Sequence, residues 1–218
     1  MTYFHPFTTS HRQDLQLTYD KDPRQYVPPQ GQTWTSLAQM RDKYHNTFHQ
    51  DSEEKRMWSI VTEPKFGIGQ RCILLQTDHG NVLWDLIAYL DDETVDFIKS
   101  KGGLKAIVIS HPHYYTTHLD WAEAFGCPVY VAVDDEEWLS RPDPEGRRKL
   151  FKDDFKEIIQ GVIAAKPGGH FPGSLVLCWE KRLFIADTLL TVPVCHLTDT
   201  MKLYESFFRP RKVLTDTP

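Results

Sequence analysis

The sequence predicts an α/β protein in which mixed sheets are covered by helices. Short apolar runs rich in β-branched residues lie at 104–109 and 128–133, with a helix-like segment at 117–125 between them. Gly126 directly follows that segment, where a glycine commonly ends a helix. Because a strand, a crossover helix and a second strand form a parallel pair, helices are expected on the faces of the sheet.

The remaining elements follow from the same patterns. Further strand-like runs lie at 57–61, 72–76, 82–87, 158–164, 175–179 and 183–186. A turn signal at 78–81 predicts a hairpin between the second and third of these runs. The acidic residues at 91–93 suit the positive end of a helix dipole, and the glycine pair at 102–103 ends that helix. A third helix is expected to begin with residues 134–138.

The first 55 residues differ in composition and hydrophobic periodicity from the rest of the chain. They are polar, contain four of the 14 prolines and show little periodicity. This composition predicts an extended polar arm over 1–55, with a short helix through 37–44. Residues 56–218 are then expected to form one domain, since their length fits a single core.

Charge and composition exclude several partners. The net charge is −5, and the basic run at 147–149 is interpreted as a solvated loop, so a nucleic-acid partner is not expected. No window approaches the roughly 18 apolar residues of a membrane span. The amino terminus lacks a basic leader and an apolar stretch, which favours a cytoplasmic protein. Buried, reduced thiols are expected at Cys72, Cys127, Cys178 and Cys195.

Two histidines follow the buried run at 104–109. His111 and His113 come directly after this run, at the end of the strand where ligands collect in open α/β sheets. In extended backbone, residues two apart point the same way, so both imidazoles can converge on one ion. A pair of solvated loop histidines is the alternative interpretation, and the pair alone does not decide between them.

Two further segments carry candidate ligands. His170 lies in a loop rich in glycine and proline just before the run at 175–179, and glycines let such a loop direct a side chain inward. Asp187 ends the apolar run at 183–186 and could supply an anionic ligand or orient a water molecule. Read singly, the first is more often a turn histidine, and the second is more often a turn or helix-cap aspartate.

In combination and in this order, these segments resemble the metallo-β-lactamase superfamily. The GHFPGS sequence at 169–174 resembles the family's Gly-His-Thr-Pro-Gly-Ser turn, with Phe171 in place of Thr. The IADT sequence at 185–188 resembles its Gly-Asp-Thr strand end, with Ala186 in place of Gly. The resemblance covers about residues 57–194 and implies an αββα sandwich. It also implies a zinc site on His111, His113, His170 and Asp187, with Asp85 as a structural aspartate.

The sequence departs from the family pattern at the second metal site. The pattern His-x-His-x-Asp-His has Tyr115 and Thr116 at its last two positions here, so two ligands of that site are missing. His118 is interpreted as a surface histidine, although it could lean back as a substitute ligand. Only 31 residues follow Asp187, with a short amphipathic helix predicted over 198–208. The carboxyl-terminal part of the fold is therefore expected to be incomplete.

By this resemblance, the protein is expected to be a hydrolase that uses a metal-activated water on a small-molecule ester, thioester, amide or phosphoester. Three imidazoles leave one position of a single zinc ion open for water, whose pKa falls from 15.7 toward about 7 on binding. Asp187 would orient that water or complete a weaker second metal site, and Tyr115 would donate to a developing oxyanion if it faces the metal.

Two alternatives stay open at this level. The missing second-site ligands are also consistent with a degenerate protein of the same fold, which binds metal or a partner without catalysis. Imidazoles with a carboxylate also suit iron, which is the less favoured metal. The substrate, the metal count and the oligomeric state do not follow from the sequence.

Overall fold

Two sheets determine the fold in the computed structural model, which describes residues 2–4 and 33–188. A short parallel pair, β1 (Thr2–Phe4) and β2 (Thr33–Thr35), precedes them. The large sheet contains seven strands in chain order: β3 (His45–Gln50), β4 (Met57–Glu63), β5 (Arg71–Thr77), β6 (Gly80–Trp84), β7 (Ala106–Val108), β8 (Val129–Ala132) and β9 (Arg148–Phe151). The pairs from β3 to β6 are antiparallel, and those from β6 to β9 are parallel. The small sheet is antiparallel and also in chain order: β10 (Phe155–Ile159), β11 (Val162–Ala165), β12 (Val176–Trp179) and β13 (Arg182–Phe184).

The helices are short and capped as their sequences suggest. They are α1 (Leu37–Met40), α2 (Asp92–Ser100) and α3 (His118–Phe125), with 3₁₀ turns at Pro112–Tyr114, Val133–Trp138 and Ala186–Thr188. Asp91 caps α2, because its carboxylate accepts a 2.8 Å hydrogen bond from the Thr94 backbone N–H. Gly126 ends α3 in the left-handed conformation, with φ at 61°.

The core divides into two clusters that define the layers. The larger cluster packs Ile98 of α2 and Trp121 of α3 against Ile107 of the large sheet. The smaller cluster lies between the sheets, where Phe151 of the large sheet joins Leu177 of the small one. Helices, large sheet and small sheet thus form three layers held by apolar burial. The mixed α/β fold is as predicted.

The outer face of the small sheet is partly exposed. Ile163 on β11 and Leu183 on β13 are 41% and 57% exposed. Among residues 33–188, no helix supplies the outer layer that the αββα prediction places on this face. Within the described part of the chain, none of the helices has the length and apolar character needed to cross a membrane.

Strand β3 lies inside the segment predicted to be a polar arm. Residues 45–50 pair with β4 in the large sheet, so this part of the arm belongs to the folded body. The strand was missed because its buried side chain is polar: Asn46 donates to the Tyr89 carbonyl and to Thr94, and accepts from Thr62. The division of the chain at residue 55 remains a prediction.

Three other elements correct the sequence-based expectations. The run 158–164 is a hairpin and not one strand, because Gly161 takes a φ of 80° between β10 and β11. The basic run 147–149 is not a solvated loop, since residues 148–151 form the edge strand β9. Residues 134–138 form a 3₁₀ turn in place of an α-helix. The predicted helix over 198–208 lies outside the described residues.

Candidate metal centre

His111 and His113 follow β7, as the sequence predicts, but they converge by a different backbone path. His111 is extended, with φ −164° and ψ 172°, and it precedes the 3₁₀ turn Pro112–Tyr114. That turn, and not continued strand alternation, brings the two rings to a centroid separation of 4.9 Å. Both residues are buried, at 1% and 8% exposure.

Ser110 fixes the strand end on which these histidines lie. Its backbone N–H donates to the buried carboxylate of Asp85 at 2.7 Å. Its carbonyl accepts from the Leu175 N–H at 2.8 Å, which ties the loop carrying His170 to β7. Its hydroxyl lies 2.8 Å from Nδ1 of His111, so the other ring nitrogen, Nε2, is the one left to face the cluster.

The loop 166–174 places His170 opposite the pair. Gly169 has a φ of 117°, a conformation that a side chain would strain. The Gly173 N–H donates to Asp135 at 2.9 Å, and a Cβ at Gly173 would come within 2.5 Å of the Ala132 side chain. The loop is therefore pressed directly against the 3₁₀ turn Val133–Trp138.

Asp187 lies in the 3₁₀ turn that follows β13, and its side chain is 34% exposed. Ala186, just before it, has a positive φ of 43°. The glycine found here in the metallo-β-lactamase motif would adopt this conformation without strain, whereas alanine does so at a cost.

The four predicted ligands meet at one point. One donor atom from each of His111, His113, His170 and Asp187 lies within 4.8 Å of all the others. The Nε2 atoms of His113 and His170 are 3.1 Å apart, and Nε2 of His111 is 3.4 Å from Oδ2 of Asp187. Donors about 2.0–2.1 Å from a tetrahedral zinc ion lie roughly 3.4 Å from one another. The spacing and the donor chemistry therefore fit a single ion.

Charge in the cluster also favours a cation. The interaction with the His111 ring holds the pKa of Asp187 below the usual value for an aspartate, so the cluster contains a carboxylate at neutral pH. Burial raises the pKa of the nearby Asp85 to about 7. A divalent ion would offset the negative charge of Asp187 while the imidazoles stay neutral.

No protein-family model matches the chain. The uncharacterized protein YmaE of Bacillus subtilis (strain 168) is 45% identical over 161 residues. That alignment covers 74% of this chain and 58% of YmaE, so the chain spans well under two thirds of the relative's length.

Comparison with solved structures identifies the fold. The DIM-1 metallo-β-lactamase is 16% identical, with a TM-score of 0.56 over 75% of this chain and 77% of that one. The chain has the metallo-β-lactamase fold. FIM-1 from Pseudomonas aeruginosa, solved in its mono-zinc form, is also 16% identical, with a TM-score of 0.47 over 61% and 64% of the two chains.

Within the metallo-β-lactamase fold, Tyr115 occupies a position where the superfamily motif has aspartate. Its side chain is buried in the larger core cluster, and its ring lies 6.1 Å from that of His118. The neighbouring Tyr114 is the tyrosine whose ring contacts His111, edge to face at 5.0 Å. Successive residues of a 3₁₀ turn point about 120° apart, so the two tyrosines serve different surfaces.

His118 is not a surface residue, which corrects the sequence-based interpretation. It is 2% exposed, and Nε–H of Arg148 donates to its Nε2 at 2.9 Å. Its other ring nitrogen, Nδ1, lies against the carbonyl of Tyr115, and therefore carries the proton and donates. Both nitrogens are thus engaged away from the cluster, and His118 does not replace a missing ligand.

Phe171 gives the cluster an apolar floor that the sequence did not predict. The side chain is fully buried and contacts all three imidazoles, with ring centroids 5.7 Å from His111, 5.2 Å from His113 and 4.8 Å from His170. Trp138 packs on it from the other side at 5.6 Å. The substitution of Phe for the motif's Thr therefore exchanges a hydroxyl for packing that holds the rings in place.

Proposed function

We propose that the chain is a metal-dependent hydrolase that acts on a small molecule containing an ester, thioester, amide or phosphoester bond. The observation that carries the proposal is the meeting of four donor atoms from two sheets within 4.8 Å. His111, His113 and His170 would hold one ion, with Asp187 as a fourth ligand or as the group that orients water. When bound, a divalent ion lowers the pKa of a coordinated water and polarises the oxygen of the scissile group.

The protein's own residues would supply orientation and exclude competing water. Ser110 fixes the His111 ring, and Phe171 packs beneath the imidazoles. Asp187, whose pKa is lowered, remains able to accept a hydrogen bond from the attacking water at neutral pH. The contact with His111 makes Tyr114 a stronger candidate than Tyr115 for donating a hydrogen bond to the substrate oxygen.

Zinc is the ion that we propose, because three neutral imidazoles with one carboxylate form a donor set that zinc prefers in tetrahedral geometry. The same donors also bind iron. Elemental analysis of the purified protein distinguishes the two. We expect one zinc ion per chain, since Tyr115 and Thr116 offer no carboxylate or imidazole for a second site.

One observation favours a second function, a metal-binding protein without catalysis. His118 is committed to Arg148, so among the described residues no histidine substitutes for the ligands that Tyr115 and Thr116 have replaced. If the superfamily chemistry needs two ions, this chain would bind one and catalyse nothing.

The deciding experiment compares His113→Ala with His79→Ala, which removes an exposed histidine from a distant turn. Metal content and hydrolysis of ester, thioester and phosphoester substrates are measured for both variants and for the wild type. The hydrolase predicts that His113→Ala loses metal and at least a hundredfold in turnover, while His79→Ala retains both. Bound metal without turnover in the wild type would favour the second function, and absence of bound metal would overturn both.

A further inference from the structure

A cavity of about 300 Å³ opens beside the candidate metal centre, between the first strands of the large sheet and the end of the small one. Three of the residues that line the cavity also contact or neighbour residues of the candidate metal centre. Asp85 holds the strand end at Ser110, Tyr114 contacts His111, and Ala186 directly precedes Asp187. The cavity therefore lies next to residues that support the four-residue cluster, although none of the four lines it.

Most of the side chains that line the cavity are apolar, although its surface is about half polar. Ile73 and Trp84 line it from the large sheet, and Phe184 and Ile185 line it from the small sheet and the segment after it. Such walls suit a short hydrocarbon chain, and about 300 Å³ lies at the small end of the range for ligand pockets. A compact, partly apolar ligand fits best.

Among the described residues, one cationic side chain lines this cavity. Arg71, the first residue of β5, is exposed to solvent and forms no ion pair with any described residue. Most other described arginines are paired: Arg56 with Glu180, Arg141 with Asp120, and Arg147 with Glu145. A guanidinium presents two parallel N–H donors that match a carboxylate or a phosphate.

The neighbouring Tyr114 adds a neutral donor to the same cavity. Its phenol hydroxyl can donate a hydrogen bond to a ligand in the cavity. Arg71 and Tyr114 thus place a charged and a neutral hydrogen-bond donor on one wall, next to apolar surface.

We propose that Arg71 is a specificity-determining residue that selects substrates carrying a carboxylate or phosphate at the end of a short apolar chain. The anionic group binds Arg71, the chain lies along the apolar walls, and the scissile bond lies at the cluster. This inference rests on the proposed hydrolase function for its last step, but the anion site does not depend on turnover.

The test uses the metal-loaded full chain and a matched pair of esters. These are the 4-nitrophenyl half-ester of glutarate and the same ester with its free carboxylate capped as a methyl ester. Wild type is expected to prefer the anionic ester, and Arg71→Gln is expected to lower the kcat/KM ratio of anionic to capped ester about tenfold, since a hydrogen bond to a charged group is lost. Arg147→Gln, outside the cavity, is the control and should leave the ratio unchanged.

A separate binding measurement distinguishes failure of this inference from failure of the hydrolase proposal. Calorimetric titration with glutarate and with glycerol 2-phosphate measures anion affinity without turnover and shows which anion the site prefers. A loss of about tenfold in affinity for either anion in Arg71→Gln supports the site, even if neither ester is hydrolysed. Equal affinities in wild type and Arg71→Gln, or no binding of either anion to wild type, would overturn it whether or not the esters turn over.

Discussion

At the residue scale, His118 shows how burial and one cationic neighbour determine a histidine's protonation. Burial lowers its pKa to about 4, and the guanidinium of Arg148 adds to this effect. Because Nε–H of Arg148 donates to Nε2, a proton on that nitrogen would break the hydrogen bond and face a positive charge. The ring is therefore neutral in the folded protein throughout the physiological range.

A pH dependence of stability follows from this lowered pKa. The unfolded state takes up the proton near pH 6.5 and the folded state only near pH 4, so the unfolded state binds more protons in between. The contribution of the neutral ring is full above about pH 6.5 and is lost as the pH falls toward 4, with a total on the order of 3 kcal/mol. Urea unfolding at several pH values, compared between wild type and His118→Asn, measures it. Asn keeps a donor toward the Tyr115 carbonyl and does not titrate, so parallel profiles for the two proteins would contradict the assignment.

The ligand residues were predictable from sequence, whereas their supporting residues were not. All four ligand residues follow strand ends or lie in a glycine-rich loop, and these features are visible in the sequence. The fold brings the four together, as predicted: His111, His113, His170 and Asp187. Which of Tyr114 and Tyr115 faces the metal ligands depends on the direction in which each side chain leaves a single 3₁₀ turn. Arg71 has no motif at all, and its relation to the site exists only through the packing of two distant strands.

At the element scale, the glycine-rich loop 166–174 connects the small sheet to the large one. Gly173 of the loop bonds to Asp135 in the 3₁₀ turn after β8, and Leu175, directly after the loop, bonds to Ser110 beyond the end of β7. His170 lies in this loop. Its position relative to the other two histidines therefore depends on how closely the loop packs against the 3₁₀ turn after β8.

Substituting Gly173 tests that dependence. In Gly173→Ala the new methyl group would lie 2.5 Å from the Ala132 side chain and 2.7 Å from an Asp135 oxygen, so the loop must shift. We expect a loss of about 1–3 kcal/mol in unfolding free energy, together with weaker metal binding as His170 moves. Chemical denaturation and metal titration measure the two effects. Gly146→Ala, where a Cβ meets no atom within 4 Å, should keep wild-type metal affinity. Unchanged metal affinity in Gly173→Ala would show that docking of the loop does not position His170.

Element boundaries were predicted well where a residue enforces them. Gly126 ends α3 and Asp91 begins α2, because left-handed backbone and side-chain capping are local properties. The hairpin of β10 and β11 was missed because Ile159 and Val162 extend the apolar run across its turn. Strand β3 was missed because its partners, such as Thr62, lie in other elements.

At the scale of the whole molecule, the candidate centre is the place where the two sheets meet. His111 and His113 extend from β7 of the large sheet, while His170 precedes β12 and Asp187 follows β13 of the small sheet. The smaller core cluster holds the sheets together by apolar burial, and the ion pair between Arg56 and Glu180 links them at the surface. A metal ion at the centre would add a polar link between them, so metal binding and global stability are expected to be coupled.

This coupling predicts that removal of metal destabilises the entire fold and not merely the site. A ligand that binds only the folded state at 100 times its Kd adds about 2.7 kcal/mol, or roughly 5–10 °C in Tm for a chain of this size. Thermal unfolding with zinc, with a chelator, and after zinc is restored measures the shift in wild type. Asp187→Asn keeps the side-chain shape but loses the charge, so its zinc-dependent shift should be smaller, whereas His79→Ala should match wild type. A zinc-bound protein with a chelator-independent Tm would mean that the ion lies on one sheet only, and the geometry inferred for the four ligands would then be wrong.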